Sequence, residues 1–254
     1  MKIALLRVGA DSGNLGFHSP IFEDETFDFI PIDETYNDRN TEQITEHRTY
    51  SNTKIKTKNF LIDYFKENSK NKFKNSIIHF DPEFDTFTYG DPNFNKNGLK
   101  RFTKGDYLIF YSSLQSFPTN SNNEISLYVI GYFEIETVAV ANELNQYESL
   151  KEIFNNNFHV KHWNIFKRDV TTLKNRGLKL IKGTKNSKLL KKAYKISEKI
   201  PYGSDNQKRF VISQEMQKIF GDFGGKICIQ RNSLRVIEDP EQIEKTISWL
   251  RQLV

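Results

Sequence analysis

Two long apolar runs stand close together in the middle of the chain: DYLIFYSSL at 106–114 and ISLYVIGYFEIETV at 125–138, separated by QSFPTNSNNE. Both are rich in β-branched and aromatic residues, and the spacer is rich in turn formers, so the pair reads as a long β-hairpin. A hairpin of that length needs apolar cover on both faces. The rest of the chain therefore has to supply strands to extend the sheet and helices to cover it.

Those elements follow in mixed order. KIALLRVG at 2–9 reads as a buried opening strand, ADSGNLGFHSP as a glycine-rich loop, and ETFDFIPI as a second, alternating strand. The stretch 37–54 is polar and irregular. In KTKNFLIDYFKENSK, Phe60, Leu61, Tyr64 and Phe65 fall at helical spacing, and SIIHF reads as a short strand ending on His79. Beyond the hairpin, ELNQYESLKEIFNNN predicts a helix, LKLIKGT a strand and SKLLKKAYKIS a basic helix capped by Ser187. SQEMQKIFGDFGG predicts a helix closed by glycine and LRVIE a strand; the final helix, 240–253, has Asp239 as N-cap and Pro240 at its first position. This order predicts an α+β fold with a mixed, curved or barrel-like sheet, built as one composite domain over 1–254.

Charge is segregated. The chain carries +5 overall, yet residues 1–50 hold 4 Lys/Arg against 10 Asp/Glu, while 161–199 hold 13 Lys/Arg against Asp169 and Glu198. A cationic segment of that density attracts polyanions, because neutralised phosphates release condensed counterions. Lys182, Lys185, Lys188, Lys191 and Lys192 are the expected contacts to a nucleic-acid backbone; the competing reading is an ordinary solvated face. With a mean hydropathy of -0.62 and no long uncharged apolar run, no membrane span and a cytoplasmic location are expected. A single cysteine, Cys228, excludes disulfides within the chain and cysteine-based zinc sites.

The richest concentration of chemistry is HFDPEFDTFTYGDPN, 79–93. His79 and Asp81 are one residue apart, so an extended backbone points them to one face, and Glu83 joins them if the extension continues. Such a trio can hold a divalent metal, or can pair a base with the carboxylate that orients it. Phe84, Phe87, Tyr89 and Phe94 offer rings on which a base can stack. Alternatively, the phenylalanines fill the core and Asp91 caps a turn. The opening loop adds Arg7, Asp11, Asn14 and His18, but it has neither the Walker A lysine nor dinucleotide-binding glycine spacing. His159 and His162 in FHVKHW lack an HExxH context, and no GxSxG elbow or nuclease-type acid–lysine spacing is present.

Taken in order, MKIALLRVGADSG, SPIFEDETFDFIPI, HFDPEFDTFTYGDP, KGDYLIFYSSL, LYVIGYFEI and LIKGTKNSKLLKKAYKIS resemble the third of the families named nucleotide-modification-associated domains, from Met1 through about Ser197. The resemblance implies a role in systems that modify bases in DNA or nucleotides. The positions matching the family's polar motifs are Arg7, Gly9 and Asp11; His79, Asp81, Pro82, Glu83, Thr86, Tyr89, Gly90 and Asp91; and Gly105 and Asp106. His159 falls near an Asn-x-His element, with Phe158 where a small residue is usual, and Ser19 precedes Pro20 where relatives have Gly-Pro.

Three functions follow as alternatives. In the first, an enzyme acts on a base or nucleotide, with Asp11, His79, Asp81 and Glu83 as catalytic groups or ligands of a divalent metal. Arg7, His18, Thr86, Tyr89 and Asp91 then bind the substrate. In the second, the hairpin, similar to those of PUA-like and EVE-like readers, belongs to a module that holds a modified base without reaction. In the third, the same carboxylates serve a metal-dependent nuclease. DNA or a nucleotide is the expected partner in each.

Overall fold

A computed structural model describes residues 1–11, 15–34, 47–92, 94–118, 124–141, 148–163, 177–202, 207–229 and 234–253. The fold is α+β, as expected. The expected hairpin is its spine: β4 (Tyr107–Ser116) runs antiparallel to β5 (Ile125–Ala141), paired from Tyr107 opposite Glu134 to Gln115 opposite Ile125 with a register shift between Phe110 and Tyr111. The opening strand β1 (Ile3–Arg7) lies parallel to β4, and β10 (Arg235–Ile237) pairs with its outer edge. On the other side β5 pairs with β6 (Leu178–Gly183), and β6 with β3 (Thr88–Asp91). β2 (Ser19–Ile21) joins β4, and β7 (Lys188–Lys195) joins β5. The eight strands form a mixed sheet that is open rather than a closed barrel.

Its two faces are covered differently. One packs Leu6, Phe29, Phe110 and Phe133, the last two with ring centroids 4.7 Å apart. The other is covered by α3 (Gln214–Phe220) and α4 (Pro240–Gln252), which bring Met216, Phe220 and Trp249 onto Leu5 and Ile109. The final helix starts as its sequence dictates, Asp239 accepting from the amide of Gln242 at 3.0 Å.

Several local expectations are corrected. SKLLKKAYKIS forms a strand, because β7 carries a bulge: Leu189 faces Gly131 while Tyr194 faces Val129. The extra residues break the two-residue alternation and turn Leu190 and Ala193 inward, giving an edge strand a helical-looking apolar spacing. Ser187 instead stands in the β6–β7 turn, where its hydroxyl accepts from the amide of Glu134 at 3.2 Å. Only bridges form in ETFDFIPI, Thr26 with Lys192 and Phe27 with Ile21, and only bridges in SIIHF. KTKNFLIDYFKENSK splits into a 3-10 turn, Leu61–Tyr64, and α1 (Glu67–Phe73), with Phe65 extended between them. Residues 148–150 are helical but 151–156 are turns, and 142–147 lie outside the described residues, as do 37–46 of the polar stretch. A second sheet, β8 (Ser197–Tyr202) with β9 (Gln207–Ile212), was not expected from the sequence. No helix among the described residues is long and apolar enough to cross a membrane.

Candidate functional site

The stretch 79–91 sits at the far edge of the sheet. His79 is anchored through its backbone, donating to the carbonyl of Ile32 at 2.9 Å, and Asp81 follows in a tight turn whose amide returns to His79. The chain then re-enters the sheet as β3. The amide of Gly90 points back at the Asp81 carboxylate, 3.1 Å from Oδ1 and 3.0 Å from Oδ2, and fixes it.

A third group arrives from elsewhere. The short helix α2 (Phe158–Lys161) is capped by Asn157, whose side chain accepts from the amide of His159 at 3.1 Å. This is an Asn-x-His element in the structural sense: the cap sets the helix start, and the helix start places the imidazole. His159 Nε2 lies 3.4 Å from Asp81 Oδ2, and both side chains are 5% exposed. The rings of His79 and His159 meet edge-on at 4.7 Å, and Phe158 stacks on His79 at 4.3 Å. His79 Nδ1 is 2.5 Å from Glu34 Oε2. One nitrogen from each histidine and one Asp81 oxygen fall within 4.8 Å of one another.

Further buried charge surrounds this trio. Tyr89 donates its hydroxyl to Asp91 at 2.7 Å, and Lys179, opposite Asp91 across β3 and β6, is fully buried. Burial raises the Asp81 carboxyl well above the usual carboxylate range, against the lowering effect of His79 and the Gly90 amide. Burial also lowers His159, so the pair is pressed toward its neutral forms. The Tyr89 phenol is held well above its ordinary value, first by burial and then by Asp91. A Cβ at Gly90 would stand 2.8 Å from Asn157 Oδ1 and 3.0 Å from His159 Cδ2, so the close approach of β3 to α2 requires glycine there.

The other expected residues separate into groups. Glu83 lies outside the trio: its buried carboxylate accepts from the amide of Asp85, from the amide and hydroxyl of Thr86, and from Thr88 Oγ1 at 3.4 Å. It caps the turn that leads into β3, and Thr86 belongs to that same turn. Phe84 and Phe87 pack against Phe133 in the core. Arg7, the last residue of β1, pairs with Asp11 at 3.3 Å. His18 belongs with them, its pKa lowered to about 4, first by burial and then by the Arg7 charge. Asn14 lies outside the described residues. One extended segment links the two regions: Ala10 donates to Ile30 and His79 to Ile32.

The lysines do not form one face. Lys182 donates to the Thr86 carbonyl, behind the 83–88 turn. Lys185 is exposed in the β6–β7 turn, and Lys188 is half-buried at the start of β7. Lys191 and Lys192 are exposed on β7 and line a cavity of about 850 Å³ with Phe22, Phe117, Tyr128 and Lys195. That cavity shares no lining residue with the His79–Asp81–His159 group.

Residues 2–217 match the family model described as nucleotide modification associated domain 3. The chain belongs to this family. No curated protein and no solved structure matches it. Membership supports a nucleotide-modification-associated role, and the match runs past β9 into α3, so it spans every element that builds the buried group. Sequence reasoning missed Glu34 and Lys179, and gave His159 no place in the reacting set. The sequence cues to His159 were Asn157 two residues before it and His162 three residues after it.

Proposed function

We propose that this family member is an enzyme that acts on a base or nucleotide, with His79, Asp81 and His159 as its reacting centre. One observation carries the reading: two imidazoles and a carboxylate, drawn from separate parts of the chain, converge in a buried site that hydrophobic packing alone would fill with apolar side chains. Buried ionisable groups cost stability unless they are paired, and their concentration is typical of sites that transfer protons or bind ions. Asp91, Tyr89 and Lys179 add hydrogen-bonding and charged groups beside the trio. Arg7, Asp11 and His18, joined to the same 30–32 segment, form the substrate-binding side in this reading.

The test is mass spectrometry of nucleosides and nucleotides after incubating the protein with plain and modified DNA, and with free nucleotides, in the presence of Mg²⁺, Mn²⁺, Fe²⁺ or Zn²⁺. A new mass or released base is expected from the wild-type protein. Asp81→Asn and His159→Gln are expected to lower its rate at least about 100-fold while leaving substrate retention largely intact. Product formation undiminished in both variants contradicts the assignment.

A second reading has its own observation. The 850 Å³ cavity combines four aromatic rings with three lysines and three glutamates, a combination in which the rings can stack a base and the lysines can hold its phosphate. If this cavity recognises the ligand and no reaction follows, the protein is a reader. Tight retention of one modified DNA, without product and insensitive to Asp81→Asn, is the result that selects it.

A further inference from the structure

We propose that His79, Asp81 and His159 bind one divalent first-row transition-metal ion. The proposal deepens the reading above and draws its place in function from it, but it stands on geometry of its own.

The ligand set is the first argument. Two imidazoles and one carboxylate suit zinc, iron, manganese, cobalt or nickel, whereas magnesium and calcium prefer oxygen alone. Three protein ligands leave coordination positions for water or substrate, as in catalytic rather than structural sites.

Spacing is the second. Ligand atoms each about 2.1 Å from an ion, at a tetrahedral angle, stand roughly 3.4 Å apart. His159 Nε2 and Asp81 Oδ2 are separated by 3.4 Å. One nitrogen of each histidine and an Asp81 oxygen lie within 4.8 Å of one another. Even at that outer limit, a central point is no more than about 2.8 Å from each, so closing to about 2.1 Å takes movements of under ~1 Å.

The supporting shell is the third and the most specific. Glu34 engages His79 Nδ1 at 2.5 Å, which makes Nε2 the nitrogen that would ligate, the carboxylate–histidine–metal arrangement that fixes ring orientation and raises ligand basicity. The Gly90 amide steadies Asp81, Asn157 sets the helix that carries His159, and Phe158 stacks on His79. Each ligand thus has its own positioning contact. The trio is largely shielded from bulk water, with Asp81 and His159 5% exposed and His79 12%.

Full-length protein, stripped with chelator and dialysed, is titrated with Co²⁺, Zn²⁺ and Mn²⁺ and measured for bound metal by elemental analysis and for Co²⁺ by visible absorption. One equivalent is expected, with cobalt bands of a nitrogen- and oxygen-ligated site. Asp81→Asn and His159→Gln are expected to weaken binding by at least about 100-fold, and Glu34→Gln by about 10- to 100-fold. His47→Gln, an exposed histidine elsewhere, should change nothing. Circular dichroism checks that each variant is folded; if a ligand variant is not, wild-type stoichiometry and the cobalt spectrum decide. Wild-type protein that retains no stoichiometric ion, or variants that bind as the wild type does, overturn the proposal. The two readings fail separately: product formed by metal-free protein overturns the metal site and keeps the enzyme. Stoichiometric metal in a protein that makes no product keeps the site and overturns the enzyme.

Discussion

At the scale of single residues, the site depends on close approaches more than on any one charged group. Gly90 illustrates this: Ala there forces a methyl against Asn157 and the His159 ring. Gly90→Ala is expected to cost about 1–3 kcal/mol of stability and to lower turnover more than it lowers folding, as the helix start shifts. Urea midpoints set beside rates under conditions where the variant remains folded check this; a rate that falls only in proportion to unfolded fraction contradicts it. His18 makes a pH prediction. Its folded pKa, about 4, lies below the ordinary 6.5, so between those values the unfolded chain takes up a proton that the folded chain refuses. Stability should therefore fall as pH drops from about 6.5 to 4, by of order 2 kcal/mol after allowance for the ring's partial exposure. His18→Gln should flatten that part of the stability curve; an unchanged slope would place the effect elsewhere. His79 and Asp81 were legible in the sequence because their spacing is local. Glu34 lies 45 residues from its histidine, and a contact of that range leaves no pattern in one sequence.

At the scale of elements, the hairpin, β1, β6, α3 and α4 follow from apolar periodicity and caps. The failures have physical causes. In β7 the bulge replaced the strand period with one resembling a helix, and so placed Lys191 and Lys192 on a cavity rim instead of along a helical stripe. Changing both to Glu is expected to weaken DNA binding by about tenfold or more, uniformly across sequences, and to reduce its salt dependence. Titrations at two salt concentrations test this, and unchanged affinity removes the lysines from the interface. The sequence of 56–70 predicts one helix, but the organising contact of this region is polar. Buried Asp28 accepts from the Lys56 amide at 2.9 Å, Thr57 Oγ1 at 2.5 Å and the Tyr64 hydroxyl at 2.7 Å. Asp28→Ala removes an acceptor shared by all three donors and leaves the Lys56 amide without it, with an expected loss of about 2–4 kcal/mol measurable as a shift in urea midpoint. A loss under about 0.5 kcal/mol would show that water replaces the carboxylate readily.

At the scale of the whole molecule, the sheet acts as a rigid ruler that sorts the polar residues. Apolar side chains of β1, β4 and β5 fill its centre, leaving the edge strand β3 and the helix α2 to bring Asp81 and His159 together. The same logic places Glu83 in a turn cap and spreads the described part of the basic segment over β6, β7 and the start of β8, outcomes that a charge count along the chain does not distinguish from a continuous cationic face. The account's central claim is that this edge site, with His159 in it, performs chemistry on bases or nucleotides. Its most direct test is a comparison of nucleoside digests and nucleotide pools from cells expressing the wild-type protein and from cells expressing His159→Gln at equal abundance. A mass that rises or disappears with the wild type and returns to background with the variant is predicted. Identical profiles for the two proteins, where the wild type does alter the pools, would contradict the claim.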